Sequence, residues 1–166
     1  MKKRPFPVTE TDASSAAPLP WTLRPAQKHE RWLIWRRILR EGLDPTAVKW
    51  QRFTVAAAPD GSVLGFAQVK PLAGGVREFG SLVVEPHVRG RGVGAALVKH
   101  FLACTEPPVY LMCGLHNISY YRRFGFRIVE PADLPPALYR KWRIGSFFAR
   151  LVHSRVAVMV YTPPKG

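Results

Sequence analysis

A strand, three alternating glycines and a helix follow one another between Glu78 and Leu102, and this run constrains the chain more than any other. Phe79 to Val84 is rich in strand formers and closes at Pro86, which has no N–H to give a ladder. Gly90, Gly92 and Gly94 come next, and then Val93, Leu97, Phe101 and Cys104 recur at helical spacing with Ala96 on the same face. A helix that opens inside a glycine-rich turn presents unpaired backbone N–H groups, and the missing Cβ atoms let a ligand approach them. The positive end of the helix dipole points the same way, which suits the turn to phosphate. Arg89 and Arg91 add fixed positive charge beside it.

Several readings of this turn compete. Gly90 to Ala95 fits the dinucleotide pattern G-x-G-x-x-A, a weak signal alone. That fingerprint opens directly off its strand, whereas Glu85 to Arg89 intervene here, and no acidic residue closes the next strand, Val109 to Cys113. A P-loop is excluded, since no Gly-Lys-Ser/Thr follows. A plain connecting turn does not need three alternating glycines flanked by two arginines.

A further reading is a resemblance. Arg89-x-x-Gly92-x-Gly94, after a strand ending Leu82-Val-Val84-x-Pro86, resembles the acyl-CoA motif (R/Q-x-x-G-x-G/A) of the GNAT superfamily of N-acetyltransferases. Tyr120-Tyr-Arg-Arg-Phe-Gly-Phe126 is similar to that superfamily's later F-Y-x-x-x-G-F element, and Trp21 to Ala26 to its opening strand. The resemblance spans about residues 20 to 162. It implies an α/β (α+β) fold: a mixed, mostly antiparallel central sheet flanked by helices, with a splayed strand pair forming the acyl-CoA cleft. It also implies acetyl-CoA as acyl donor, a primary amine as acceptor (a protein N-terminus, a lysine or a small amine), direct attack in a ternary complex, and no metal.

Roles follow from that resemblance residue by residue. Backbone groups of Leu82, Val83 and Val84 would pair with the pantetheine arm. The diphosphate would rest on Gly90, Arg91, Gly92, Val93, Gly94 and Ala95, with the N–H groups of Arg91 to Ala95 as donors and Arg89 alongside. Asn117 matches a pantetheine-contacting asparagine. Tyr121 matches the tyrosine that protonates the leaving thiolate, with Tyr120 its immediate neighbour. An acceptor amine, mostly charged at neutral pH, must lose a proton before it attacks. Glu78 is the expected base, placed by period-two counting on the strand face of Gly80, Leu82 and Val84. The rival reading makes Glu78 an exposed residue paired with Arg77. Glu85 reads as a solvated strand end, and His116 as an alternative base on a loop.

Composition bounds the rest. The 166 residues suffice for one domain with a real core, and 47% are hydrophobic. No apolar run approaches the ~20 residues of a membrane span. No apolar segment follows the basic Met1-Lys-Lys-Arg-Pro start, which argues against a secretory signal. Cys104 and Cys113 are too few for a disulfide framework; both sit in apolar stretches as small hydrophobes, and a reducing, cytoplasmic setting is expected. No cluster has metal-ligand spacing, and no nucleophile triad is visible. The net charge of +14 favours anionic partners, coenzyme A or nucleic acid. Because the positive residues are scattered, a generally basic surface is the simpler reading. The alternative function is a basic nucleic-acid-binding protein on a catalytically inactive acyl-CoA-binding scaffold, supported by Tyr139-Arg-Lys-Trp-Arg143 and Phe147-Phe148.

In chain order, residues 1–19 read as a flexible tail, 20–162 as one domain and 163–166 as a C-terminal tail. Ala26 to Arg40 is an expected helix, with Trp32, Leu33, Trp35, Ile38 and Leu39 as its apolar stripe, both tryptophans in the core, and Arg31, Arg36, Arg37 and Arg40 wet. Strands are expected at Gln51–Ala57 and Val63–Lys70 around the Pro59-Asp-Gly61 turn, and at Val76–Val84. The Val109–Cys113 strand should lie parallel to Val76–Val84 by a right-handed crossover. A short helix to Phe124, a strand at Phe126–Val129, a loop at Pro131–Pro136, a helix at Ala137–Phe148 and a strand at Arg155–Tyr161 complete the chain.

Overall fold

Residues 20–46, 48–151, 153 and 155–163 are described in a computed structural model of the chain. The tail expected over residues 1–19 and the end at 164–166 lie outside them. Strands β1 (Thr22–Pro25), β2 (Phe53–Ala57), β3 (Val63–Pro71), β4 (Arg77–Val84), β5 (Val109–Gly114), β6 (Phe126–Val129) and β7 (Val156–Tyr161) form one sheet in the order β1-β2-β3-β4-β5-β7-β6. All neighbours are antiparallel except β4 and β5, the parallel pair joined by a helical crossover. The helices are α1 (Arg31–Arg40), α2 (Val93–Cys104), α3 (Ile118–Arg122) and α4 (Pro136–Leu151).

The two faces are covered by different helices. On one, Val93, Leu97, Val98 and Phe101 of α2 pack on Phe79, Leu111, Cys113, Phe126 and Met159, with Tyr120 and Tyr121 of α3 against the same cluster. On the other, Ile34 and Ile38 of α1 meet Phe53, Val55, Phe66 and Val83. Leu138 of α4 buries against Val158, beside Tyr110 and Met112. Phe66, Gln68 and Lys70 alternate with Ala67 and Val69 along β3, so α1 and α4 share a face.

Several expectations need correction. The first helix begins at Arg31 after a 3-10 turn, and β2 at Phe53 after another. The tryptophans are not core: Trp32 is 64% exposed and Trp35 41%, while Ile34 and Ile38 are fully buried. Ten helical residues offer only one narrow buried stripe, and β-branched isoleucines fill it. Arg37 is not on the wet side; its guanidinium donates to Val63 O (3.0 Å) and pairs with Glu85 (2.8 Å). Glu85 is accordingly not a solvated strand end, being held by Arg37 and Arg40. Cys104 is exposed, and only Cys113 is buried.

Candidate functional site: a cleft between two splayed strands

The parallel pair comes apart. Arg77, Glu78 and Phe79 pair with Val109, Tyr110 and Leu111, and there the β4–β5 ladder ends. Beyond it β4 stays with β3 as far as Val84, while β5 stays with β7 as far as Gly114. A wedge therefore opens between Gly80–Val84 and Met112–Gly114. A bulge helps to open it. Phe66 stands opposite Val83 but Gln68 opposite Gly80, so β4 carries one extra residue. Within that bulge Ser81 takes φ +54°, a left-handed conformation rare for a residue with a side chain. The Gln68 amide donates to its Oγ at 3.0 Å.

The bulge also overturns the period-two count. Leu82 and Val84 pack with the Phe79 cluster, on the α2 face. Glu78 points to the other face, where a Cβ on Gly80 would lie 4.0 Å from its Oε1. Glu78 therefore shares a face with Gly80 but not with Leu82 or Val84. An extra residue shifts the alternation by one and swaps every side chain beyond it.

At the wide end of the wedge stands the glycine turn. Gly90 and Gly92 adopt φ +79° and +86°, which glycine takes without a steric penalty. Gly92 opens α2, and the first bond within the helix runs from Ala96 N–H to Gly92 O (2.9 Å). The N–H groups of Gly92, Val93, Gly94 and Ala95 precede that bond and are the orphan donors of the helix start. Arg91 N–H is instead engaged by Val88 O at 3.3 Å, which takes it out of the expected donor set. A Cβ on Gly94 would fall 2.8 Å from Tyr120 Oη and 3.4 Å from Val84 Cγ2. The turn, the end of β4 and α3 thus meet at one point.

The edge of β4 is oriented toward the wedge. Glu85 N–H bonds Leu64 O on β3 (2.8 Å), so by alternation the amide groups of Val84 face away from β3. Val84 O accepts from Arg89 Nε at 3.1 Å, and Arg89 Nη2 reaches Glu41 at 3.4 Å. Arg89 is thereby fixed beside the cleft. Asn117 ends the 3-10 turn after β5 and leads into α3, and the His116 ring lies against Gly114.

At the narrow end, Tyr121 packs edge-on to Phe79, at a centroid distance of 6.4 Å, and to Phe126 at 5.9 Å. Burial pushes its phenol well above the ordinary range, with Cys113 and Tyr120 adding to the effect. The phenol stays protonated. Burial likewise raises the Cys113 thiol to about 11, which leaves it no nucleophilic role at neutral pH.

On the opposite face of the same narrow end, Glu78 is 3% exposed. Its Oε2 lies 2.5 Å from Lys141 Nζ on α4 and 3.9 Å from Lys70 Nζ on β3. Asp44 stands 3.7 Å from Lys141. Arg77 is no partner of Glu78; it pairs with Glu106 at 2.9 Å. Burial lowers the Lys70 ammonium to about 8 against the pull of Glu78. Lys141, although burial works against its charge, is raised by Glu78. Sequence reasoning missed both lysines. Lys70 alternates in β3 with apolar residues and faces Glu78 in register, a signal that could have found it. Lys141 comes from 63 positions away, with no such signal. Among the described residues, no group of three or more His, Cys, Asp or Glu could hold a metal, and no helix is long and apolar enough to cross a membrane.

An α2 start with orphan N–H groups thus stands at the open end of a splayed parallel pair, an arrangement suited to a ligand that carries phosphate. Residues 49–128 match a family model described as an acetyltransferase (GNAT) domain. Solved structures share the fold. N-acetylglutamate synthase from Neisseria gonorrhoeae, in complex with coenzyme A and N-acetyl-glutamate, aligns over 86% of this chain with a TM-score of 0.68 at 17% identity. The chain spans only 35% of that protein's length. Rv2747 from Mycobacterium tuberculosis, in complex with CoA, aligns over 85% of this chain and 99% of its own (TM-score 0.66, 18% identity). NAA60 from Arabidopsis thaliana, in complex with a bisubstrate analogue, aligns over 86% and 97% (TM-score 0.58, 19% identity). No curated protein sequence matches the chain.

Proposed function

We propose that the protein is an N-acetyltransferase that moves an acetyl group from acetyl-CoA to a primary amine by direct attack. The observation that carries this reading is the placement of Glu78 and Tyr121 on opposite faces of the sheet at the point where β4 and β5 part. A thioester lying in the wedge has a carboxylate on one side and a phenol on the other.

The residues fit the donor. Open space stands where Cβ atoms of Gly90 and Gly92 would be. The N–H groups of Gly92 to Ala95 point out of the α2 start toward a diphosphate. Arg91 supplies exposed charge beside them. Val83, opposite Phe66, turns its amide groups to β3 and drops out of the expected set, whereas the N–H of Val84 faces away from β3 and can pair with an extended pantetheine arm as an added strand would. That N–H can also stabilise the oxygen that becomes negative during transfer. The cleft holds both reactants, which replaces a costly bimolecular encounter.

Glu78 takes the proton of the incoming ammonium, and Tyr121 gives one to the leaving thiolate. Burial keeps Tyr121 in its protonated, donating form. The acceptor enters from the α1 and α4 side, where Glu78 lies. Coenzyme A in the complexes of structural neighbours supports the donor, and the bisubstrate analogue in one supports a ternary complex. The test is acetyl-CoA turnover over a panel of amines and peptides, run with Glu78→Gln and Tyr121→Phe. Loss of rate in both variants, with acetyl-CoA still bound, supports the roles; an unchanged rate in either removes that residue's role.

A further inference from the structure

We infer that Lys141 is an intramolecular acetyl acceptor, a modification site built into the cleft itself. The inference rests on Glu78 being the base. An acceptor ammonium must sit on that carboxylate before it attacks, and the Lys141 ammonium already sits there at 2.5 Å. The helix that carries it crosses the wedge on the acceptor side. Lys141 reaches Glu78 on β4, and one turn on, Gly145 lies against Met112 on β5, with 3.8 Å from a Cβ position to its methyl. Met112 is the first β5 residue past the last β4–β5 pair. Lys141 Nζ is therefore an amine poised at the fork where the thioester carbonyl is expected.

Lys70 is the other amine on Glu78, but it is the poorer candidate. It lies 3.9 Å from the carboxylate and its side chain is 4% exposed, against 22% for Lys141. Lys141 is in addition carried on a helix and approaches from the open side.

The chemistry balances with acetyl-CoA as the only co-reactant. The Lys141 ammonium gives one proton to Glu78. Its nitrogen pair then forms the C–N bond to the acetyl carbon, and the C–S bond breaks. The sulfur leaves with a proton from Tyr121, which is restored by the proton shed from the new amide nitrogen. Glu78 passes its proton to solvent. The product is an amide without charge, and the pairs from Lys141 to Glu78 and to Asp44 are lost. Among the described residues, Glu78 keeps its pair with Lys70.

The experiment incubates the full chain with acetyl-CoA and maps acetylated lysines by peptide mass spectrometry over time and protein concentration. The expected result is one acetyl group at Lys141, ahead of the exposed Lys28, Lys49 and Lys99, at a rate per chain that does not depend on protein concentration. Urea-unfolded chain reports spontaneous labelling and should show no preference for Lys141. Glu78→Gln and Tyr121→Phe should both slow the label while acetyl-CoA binding by calorimetry persists; Tyr121→Phe leaves the charge cluster intact if Glu78→Gln fails to fold. A chain that turns over free amines yet leaves Lys141 unlabelled overturns this inference and spares the proposed function. A chain that binds no acetyl-CoA overturns both.

Discussion

Phe79 pairs with Leu111 across β4 and β5, and no pair follows it in that ladder. One residue on, the two strands answer to different neighbours. The Tyr121 ring rests on Phe79 from one face, and Glu78, adjacent in sequence, turns to the other. The proposed acid, Tyr121, and the proposed base, Glu78, lie on opposite faces where this single ladder stops.

Tyr121→Phe keeps the ring contacts to Phe79 and Phe126 and removes only the phenol. Turnover should fall by roughly 10²–10⁴-fold, the usual contribution of one positioned acid. Affinity for acetyl-CoA and the urea midpoint should stay near wild type, as calorimetry and denaturation can check. Because the phenol is raised, wild-type activity should show no alkaline loss through Tyr121 near the ordinary tyrosine value.

Lys70 makes stability depend on pH. Its folded value, about 8, lies below the ordinary 10.5, and Glu78, Lys141 and Asp44 are the charged groups that face it. Between those values the unfolded chain binds more protons than the folded one, so stability should rise as pH increases from about 8 to 10.5. Lys141 is raised, so its contribution is lost only above 10.5. Urea unfolding across this range should show the rise in the wild type, and Lys70→Met should flatten it.

Gly92 and Gly94 should fail for different reasons when replaced by alanine. At Gly92 a Cβ meets open space, but φ +86° costs about 1–2 kcal/mol. At Gly94 the conformation is allowed, but Tyr120 Oη lies 2.8 Å from the new atom, and overpacking costs about 1–3 kcal/mol. Tyrosine fluorescence should respond to Gly94→Ala and not to Gly92→Ala. Both should raise KM for acetyl-CoA.

Ile34→Ala should cost about 2–5 kcal/mol, since the side chain is fully buried under the sheet. Trp32→Ala should cost less than about 1 kcal/mol, because that ring is 64% exposed. Comparing the two urea midpoints checks which stripe of α1 faces the core.

Much of this was legible because local chemistry determined it. The alternating glycines marked the α2 start, Pro59-Asp-Gly61 marked the β2–β3 hairpin, and the Pro107-Pro108 break separated α2 from β5. What stayed hidden depends on distant or non-periodic structure. The bulge at Ser81 adds one residue to β4 and reverses the face of everything after it, and no composition signal announces it. The Lys141 ion pair spans 63 positions. The outward tryptophans of α1 defeat a rule that apolar residues lie inside, because a ten-residue helix has more apolar residues than buried stripe.

The central claim is that the α2 start and the free edge of β4 together hold acetyl-CoA. Titrating the nitrogen-labelled chain with acetyl-CoA, and following backbone amide signals, tests it most directly. Saturable shifts concentrated at residues 82–84 and 92–95, with those of α1's outer face unmoved, are the predicted result. An absence of saturation, or shifts that map away from the wedge, would contradict it.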